Sequence, residues 1–193
     1  GGAGNESICN SGALDVSSTA VAPSVGVAVS SKGVSAAITT ASAAASSTGI
    51  GTGEGTHWIH NTGAIDADAL AVAVGVSVSV AGEGLAAGLD TVWDGGTTAT
   101  AAAAGIRAAS GNDVITNEAT IDASATAVAP SVDVAVTGKG ISVGISTATA
   151  EARSVGIEAG AGDDRVFNSG AITSTAYANA DAISVDISGK GVA

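Results

Sequence analysis

The segment Ile115-Thr116-Asn117-Glu118-Ala119-Thr120-Ile121-Asp122-Ala123-Ser124-Ala125-Thr126-Ala127-Val128-Ala129 alternates without a slip. Ile115, Asn117, Ala119, Ile121 and the alanines from Ala123 to Ala129 fall on one parity. Thr116, Glu118, Thr120, Asp122, Ser124, Thr126 and Val128 fall on the other. Period-two alternation is the mark of a strand with one buried face, so this segment is predicted to be a single long strand. Alanine-rich runs elsewhere invite a helix. The Val, Thr, Ser and Gly set between the alanines argue against it.

Working outward, the same pattern recurs. Asn10, Asn61, Asn117 and Asn168 anchor four copies, 51, 56 and 51 residues apart. Four residues after each Asn stands Leu14, Ile65, Ile121 or Ile172. Two before stands Ile8, Ile59, Ile115 or Val166. Further on come Lys32, Glu83, Lys139 and Lys190, each followed by Gly. The copies are about 1–51, 52–107, 108–158 and 159–193, the last incomplete. The additional residues of the second copy fall around Asp90–Gly96, which contains Trp93 and reads as a bulging loop.

Beyond Pro130 a second strand is expected, with Val132, Val134 and Val136 inward and Asp133 and Ala135 outward. Pro23 and Pro130 share one position, which reads as a corner because proline lacks an amide donor. The turn Gly138-Lys139-Gly140 follows. In the third strand, Ile141, Val143 and Ile145 share one face and Ala148, Ala150 and Ala152 the other. A bulge, or burial of both faces, would account for that.

Side chains this small cannot fill a round core. With 28 Gly and 2% aromatics, the composition suits thin stacked layers. In-register stacking would bury the faces and set the four asparagines above one another. A buried amide is costly alone, but a ladder at the ~4.8 Å strand spacing pairs each with the next. The expected fold is therefore all-β, a parallel β-solenoid of four stacked repeats of about 51–56 residues. An array of antiparallel β-hairpins is the alternative, and whether a repeat makes one coil or two is left open.

Each copy opens with a Gly-rich turn. The third reads Ala109-Ser110-Gly111-Asn112-Asp113-Val114-Ile115, and the fourth Ala159-Gly160-Ala161-Gly162-Asp163-Asp164-Arg165-Val166. These turns resemble the glycine- and aspartate-rich nonapeptide of RTX-type secreted bacterial proteins. The resemblance implies calcium, with Asn112, Asp113, Asp163 and Asp164 as the residues that would supply oxygens. It is not complete: each turn stands alone, the first copy has Glu6 where Asp is expected, and the second has His57. A tight turn using Gly for positive φ and Asn or Asp for local hydrogen bonds is the other reading. The chain as a whole resembles repeat-rich bacterial surface proteins, including filamentous-haemagglutinin-like adhesins, which implies an extracellular or cell-surface location.

The 18 acidic and 6 basic residues leave a net charge of -12. That repels nucleic acid and anionic membranes, so neither a nucleic-acid partner nor membrane insertion is expected. One Cys makes no internal disulfide, and Cys9 shares an outward position with His60, Thr116 and Phe167. Asp66 and Asp68 read as a solvated face. No acid–base cluster singles itself out, so no enzyme is expected. The chain begins Gly1-Gly2 with no signal peptide and stops inside a repeat, and so reads as a mature piece of a longer polypeptide. Trp58, Phe167 and Tyr177 have outward parity and suggest contact with another chain, a glycan or a cell surface. The expected function is a rod or filament grown by end-to-end β-stacking, with the stalk of an adhesin as the alternative.

Overall fold

A computed structural model describes residues 1–90 and 96–193. The inserted segment with Trp93 lies largely outside the described residues. Twelve strands and no helix are present among them. They are β1 (Glu6–Asn10), β2 (Leu14–Thr39), β3 (Ala41–Gly51), β4 (His57–Asn61), β5 (Ile65–Asp90), β6 (Thr97–Arg107), β7 (Val114–Asn117), β8 (Ile121–Ile145), β9 (Ala148–Glu158), β10 (Arg165–Asn168), β11 (Ile172–Ser188) and β12 (Gly191–Val192).

The strands form three parallel sheets, ordered β1-β4-β7-β10, β2-β5-β8-β11 and β3-β6-β9, with β12 also pairing β8. Every register joins equivalent residues of successive copies, for example Ile8 with Ile59 and Ile59 with Ile115. The molecule is a parallel β-solenoid, and each copy makes one coil.

The coil is flat. A strand such as β8 runs out, bends at the Gly140 corner and returns. Gly140 has φ 137°, and its equivalents Gly33, Gly84 and Gly191 are likewise left-handed, a conformation that β-carbons resist. The two legs face each other through side chains. Ser142 Oγ donates to Ala135 O at 2.6 Å, and Ser154 Oγ to Ala123 O at 2.7 Å. Their backbone hydrogen bonds run to the coils on either side instead. Gly138-Lys139-Gly140 thus looks like a hairpin turn in sequence but is the tip of an arch.

Alanine rows fill the narrow gap between legs. Ala69, Ala71 and Ala73 of β5 meet Ala99, Ala101 and Ala103 of β6, and the rows continue into β3 and β8. Where the three sheets converge the space widens, and Ile50, Ile59, Ile65, Ile106, Ile115 and Ile121 pack there. Each buried isoleucine contributes roughly 1.5–3 kcal/mol.

Four local expectations are corrected. Val132, Val134 and Val136 point outward, whereas Asp133 and Ala135 are fully buried. Alternation runs straight through Pro130, and the gap near the tip is filled by Ala, Ser, Gly, Thr and Asp. The valines cover one another along the outer ladder instead. Pro130 lies in mid-strand rather than at a corner. The β5–β8 register skips Ala129–Pro130 against Ala73–Val74, so the missing amide is absorbed as a local gap. The long strand starting at Ile115 breaks after Asn117, where the chain turns from one sheet to the next and resumes at Ile121. The third strand needs no bulge: its alanines face in, and Ile141, Val143 and Ile145 face out.

Candidate functional site

The four asparagines meet as one column. Asn10 Nδ2 donates to Asn61 Oδ1 at 2.7 Å, Asn61 Nδ2 to Asn117 Oδ1 at 2.6 Å, and Asn117 Nδ2 to Asn168 Oδ1 at 2.7 Å. Each amide also donates to the carbonyl two residues on: Gly12 at 2.9 Å, Gly63 at 2.8 Å, Ala119 at 2.7 Å and Gly170 at 2.7 Å. The column therefore does two jobs. It links coil to coil, and it holds the corner where the chain changes sheet. All donors point the same way, so the ladder has a direction. Asn61 and Asn117 have no solvent exposure, where an unpaired amide would be expensive.

The Gly-rich turns stack beside this column. Asn5, Thr56, Asn112 and Asp163 are one row, and Glu6, His57, Asp113 and Asp164 the next. Thr56 N donates to Asn5 Oδ1 at 2.9 Å, and Asp163 N to Asn112 Oδ1 at 2.9 Å. In the second row His57 N donates to Asp113 Oδ1 at 2.7 Å, and Asp113 N to Asp164 Oδ1 at 2.9 Å. Of the four residues to which the resemblance assigned calcium, Asn112, Asp113 and Asp164 each hold a backbone amide of a neighbouring coil. Asp163 is exposed. Among the described residues, no three His, Cys, Asp or Glu side chains are gathered so as to hold a metal ion.

His57 completes that row in a way residue types alone did not announce. Its ring is buried, with Nδ1 2.8 Å from Asp113 Oδ1 and Nε2 3.6 Å from Glu6 Oε2. Glu6 Oε1 in turn accepts from Gly2 N at 2.7 Å. One side chain thus bridges the coil below and the coil above. The spacing held this signal, because His57 occupies the position of Glu6, Asp113 and Asp164.

A second buried polar group lies inside the arch. Asp90 Oδ2 accepts from Ser131 Oγ at 2.5 Å, Thr97 Oγ1 at 3.0 Å and Thr97 N at 3.2 Å. Asp90 N donates to Asp133 Oδ2 at 3.2 Å. Burial pushes the Asp133 carboxyl above the usual range. The charges of Asp90 and Asp186 add to this, and hydrogen bonds from Ser77 and the Asp90 amide oppose it. Hydrophobic patterning places Asp133 on the wrong face, so sequence reasoning missed this group.

On the outer surface Asp15, Asp66 and Asp122 form a column, with Asp68 beside it. The Asp66 carboxyl lies above its ordinary range, first from desolvation and then from the charges of Asp68, Asp122 and Asp15. Trp58, Phe167 and Tyr177 are exposed, and Trp58 sits 5.6 Å from His60 at 49°. Cys9 is exposed and unpaired. Cys9 and Phe167 share one row with His60 and Thr116, whereas Trp58, Tyr177 and the aspartates lie on others.

No protein-family model, curated protein or solved structure matches the chain.

Proposed function

We propose that this protein is a structural extracellular rod, extended end to end by the same β-stacking that joins its coils. The observation that carries the reading is the directional asparagine ladder, embedded in three sheets that are parallel and in register throughout. Parallel stacking of this kind has no internal stop. The strands at either end of each sheet offer unpaired amides and carbonyls to another coil. That coil belongs to the same long polypeptide or to a second chain. The Asn168 amide keeps a proton for the next asparagine, and Asn10 Oδ1 faces the opposite way to receive one.

The placement of polar groups fits a structural role. Buried polar groups are spent on joining coils, and the acidic outer face keeps a β-rich chain soluble. The reading assigns the protein no catalytic step.

Negative-stain microscopy of the purified chain, with fibre diffraction, tests it. Rods many times the length of one molecule, with a meridional reflection near ~4.8 Å, are expected. Uniform short particles at high concentration would reject self-assembly and leave the stalk of an adhesin as the better description.

A further inference from the structure

The outer face of the outgoing leg carries a strip made almost wholly of β-branched residues. Val27, Val78, Val134 and Val185 form its central column, flanked by the columns that start at Val25 and Val29. Two more columns extend it to Val21. Along its whole length only Asn179 and Asp181 break the run of Val, Ile and Pro. In the first coil, whose edge is uncovered, Val25, Val27 and Val29 are 70%, 66% and 75% exposed, and their equivalents in the two middle coils are half-buried with their outer faces open. The strand bends into no left-handed residue before Gly33, so the strip is extended and even.

We infer that this strip is a side-to-side docking surface for a second copy of the chain. Three observations select that occupant. First, size: nine residues at about 3.3 Å and four coils at about 4.8 Å give roughly 600 Å² per copy. Two such strips face to face cover about 1,200 Å², the lower end of what a specific protein interface needs. Second, shape: an even sheet of Val ridges is complementary to another such sheet, packed about 10 Å away as in a β-sandwich. Third, charge: the chain is strongly acidic, yet Asp15, Asp66, Asp68 and Asp122 all sit at the far end of the same face. Within the strip Asp181 of the last coil is the one carboxylate, so two copies can approach on its three other coils with little like-charge repulsion. A contiguous apolar surface of this extent is otherwise a liability in water.

This pairing uses the flank of the coil and is independent of end-to-end growth. Short rods that pair support this inference and not that one. Long rods that stay single do the reverse.

The test is sedimentation of the full chain over a concentration series, against the double variant Val78→Lys with Val134→Lys. Both side chains point outward, so circular dichroism should keep its β signature. The wild type is expected to associate at tens of micromolar, and the double variant to associate at least about 100-fold more weakly. Thr149→Lys, on the exposed face of the return leg, should behave as wild type. Should the lysines disturb folding, Val78→Thr with Val134→Thr keeps the shape and is expected to weaken association about tenfold. Equal association of wild type and a folded double variant would overturn the inference. So would a wild type that stays monomeric but floats with phosphatidylcholine vesicles, since the occupant would then be lipid.

Discussion

Gly105 lies directly against the side chain of Ile121 from the following coil, and a β-carbon at Gly105 would overlap the Ile121 Cγ2. Gly49 meets Ile65, and Gly156 meets Ile172, in the same way. These glycines are not in left-handed backbone, so what they supply is room. One inward isoleucine of each later coil is thus seated in a notch in the coil before it.

Gly105→Ala is therefore expected to cost about 1–3 kcal/mol through overpacking. For a chain of this length that lowers the melting temperature by roughly 2–4 °C per kcal/mol. Ile121→Ala alone should cost about 2–5 kcal/mol. The cost of Gly105→Ala should shrink in the Ile121→Ala background without vanishing, because the new methyl still meets Gly156 O. Calorimetry on the four proteins of this cycle checks the coupling. Strictly additive costs would show that the two residues do not share the notch.

The asparagine column predicts a gradient along the stack. Asn61→Ala removes a buried amide that serves three partners, leaving Asn117 Oδ1 and Gly63 O without its hydrogens and Asn10 Nδ2 with Gly12 O alone. We expect a loss of about 2–4 kcal/mol, against about 1 kcal/mol for Asn10→Ala in the partly exposed first coil. Asn61→Asp should be no better at neutral pH, because its carboxylate would face Gly63 O and Asn117 Oδ1 with no hydrogen to donate. Acid should restore part of the loss. Equal costs at Asn10 and Asn61 in denaturant titrations would rule out a cooperative ladder.

The column and the coil spacing were legible because both depend on exact sequence intervals, which parallel stacking turns into vertical contacts. Asn10 lies over Asn61 for the same reason that Lys32 lies over Glu83. Facing was less legible. Val132 and Val134 look like core and Asp133 like surface, by ordinary hydrophobicity. In an arch one side chain thick the usual preference reverses: small polar residues fit inside, and valines shield each other along the outer ladder. The role of His57 was hidden for a different reason. Nothing about a lone histidine suggests a bridge until Glu6 and Asp113 are brought over and under it.

Asp133 gives the stack an acid-side dependence. Its folded carboxyl is raised above the unfolded value, mainly by burial, so the folded chain binds the proton more tightly. The stabilising contribution of the protonated form is complete below the unfolded value and is lost as pH rises through the raised one. Glu158 acts in the opposite sense. Arg153 and Arg107 hold it below its ordinary range, so its contribution is present above the unfolded value and fades as pH falls through the lowered one. The melting temperature should therefore climb on mild acidification and fall again in stronger acid. Asp133→Asn should reduce the climb, leaving the part due to Asp66, while Glu158→Gln should flatten the fall. A wild-type curve that descends steadily from neutral pH would contradict the assignment to Asp133.

The bridge through His57 yields the last expectation. His57→Ala leaves Asp113 fully buried, with its Oδ1 retaining only the backbone amide of residue 57. Removing one partner of a buried hydrogen bond to a carboxylate costs about 1–3 kcal/mol or more, because the acceptor left behind stays desolvated. Asp113→Asn in the same background removes that charge while keeping an oxygen for the amide. The double variant should therefore recover at least half of the loss. Glu6→Gln, 3.6 Å from the ring in the half-exposed first coil, should cost under about 1 kcal/mol. If His57→Ala melts like wild type, or Asp113→Asn makes it worse, the column of Glu6, His57 and Asp113 does not clamp the coils together.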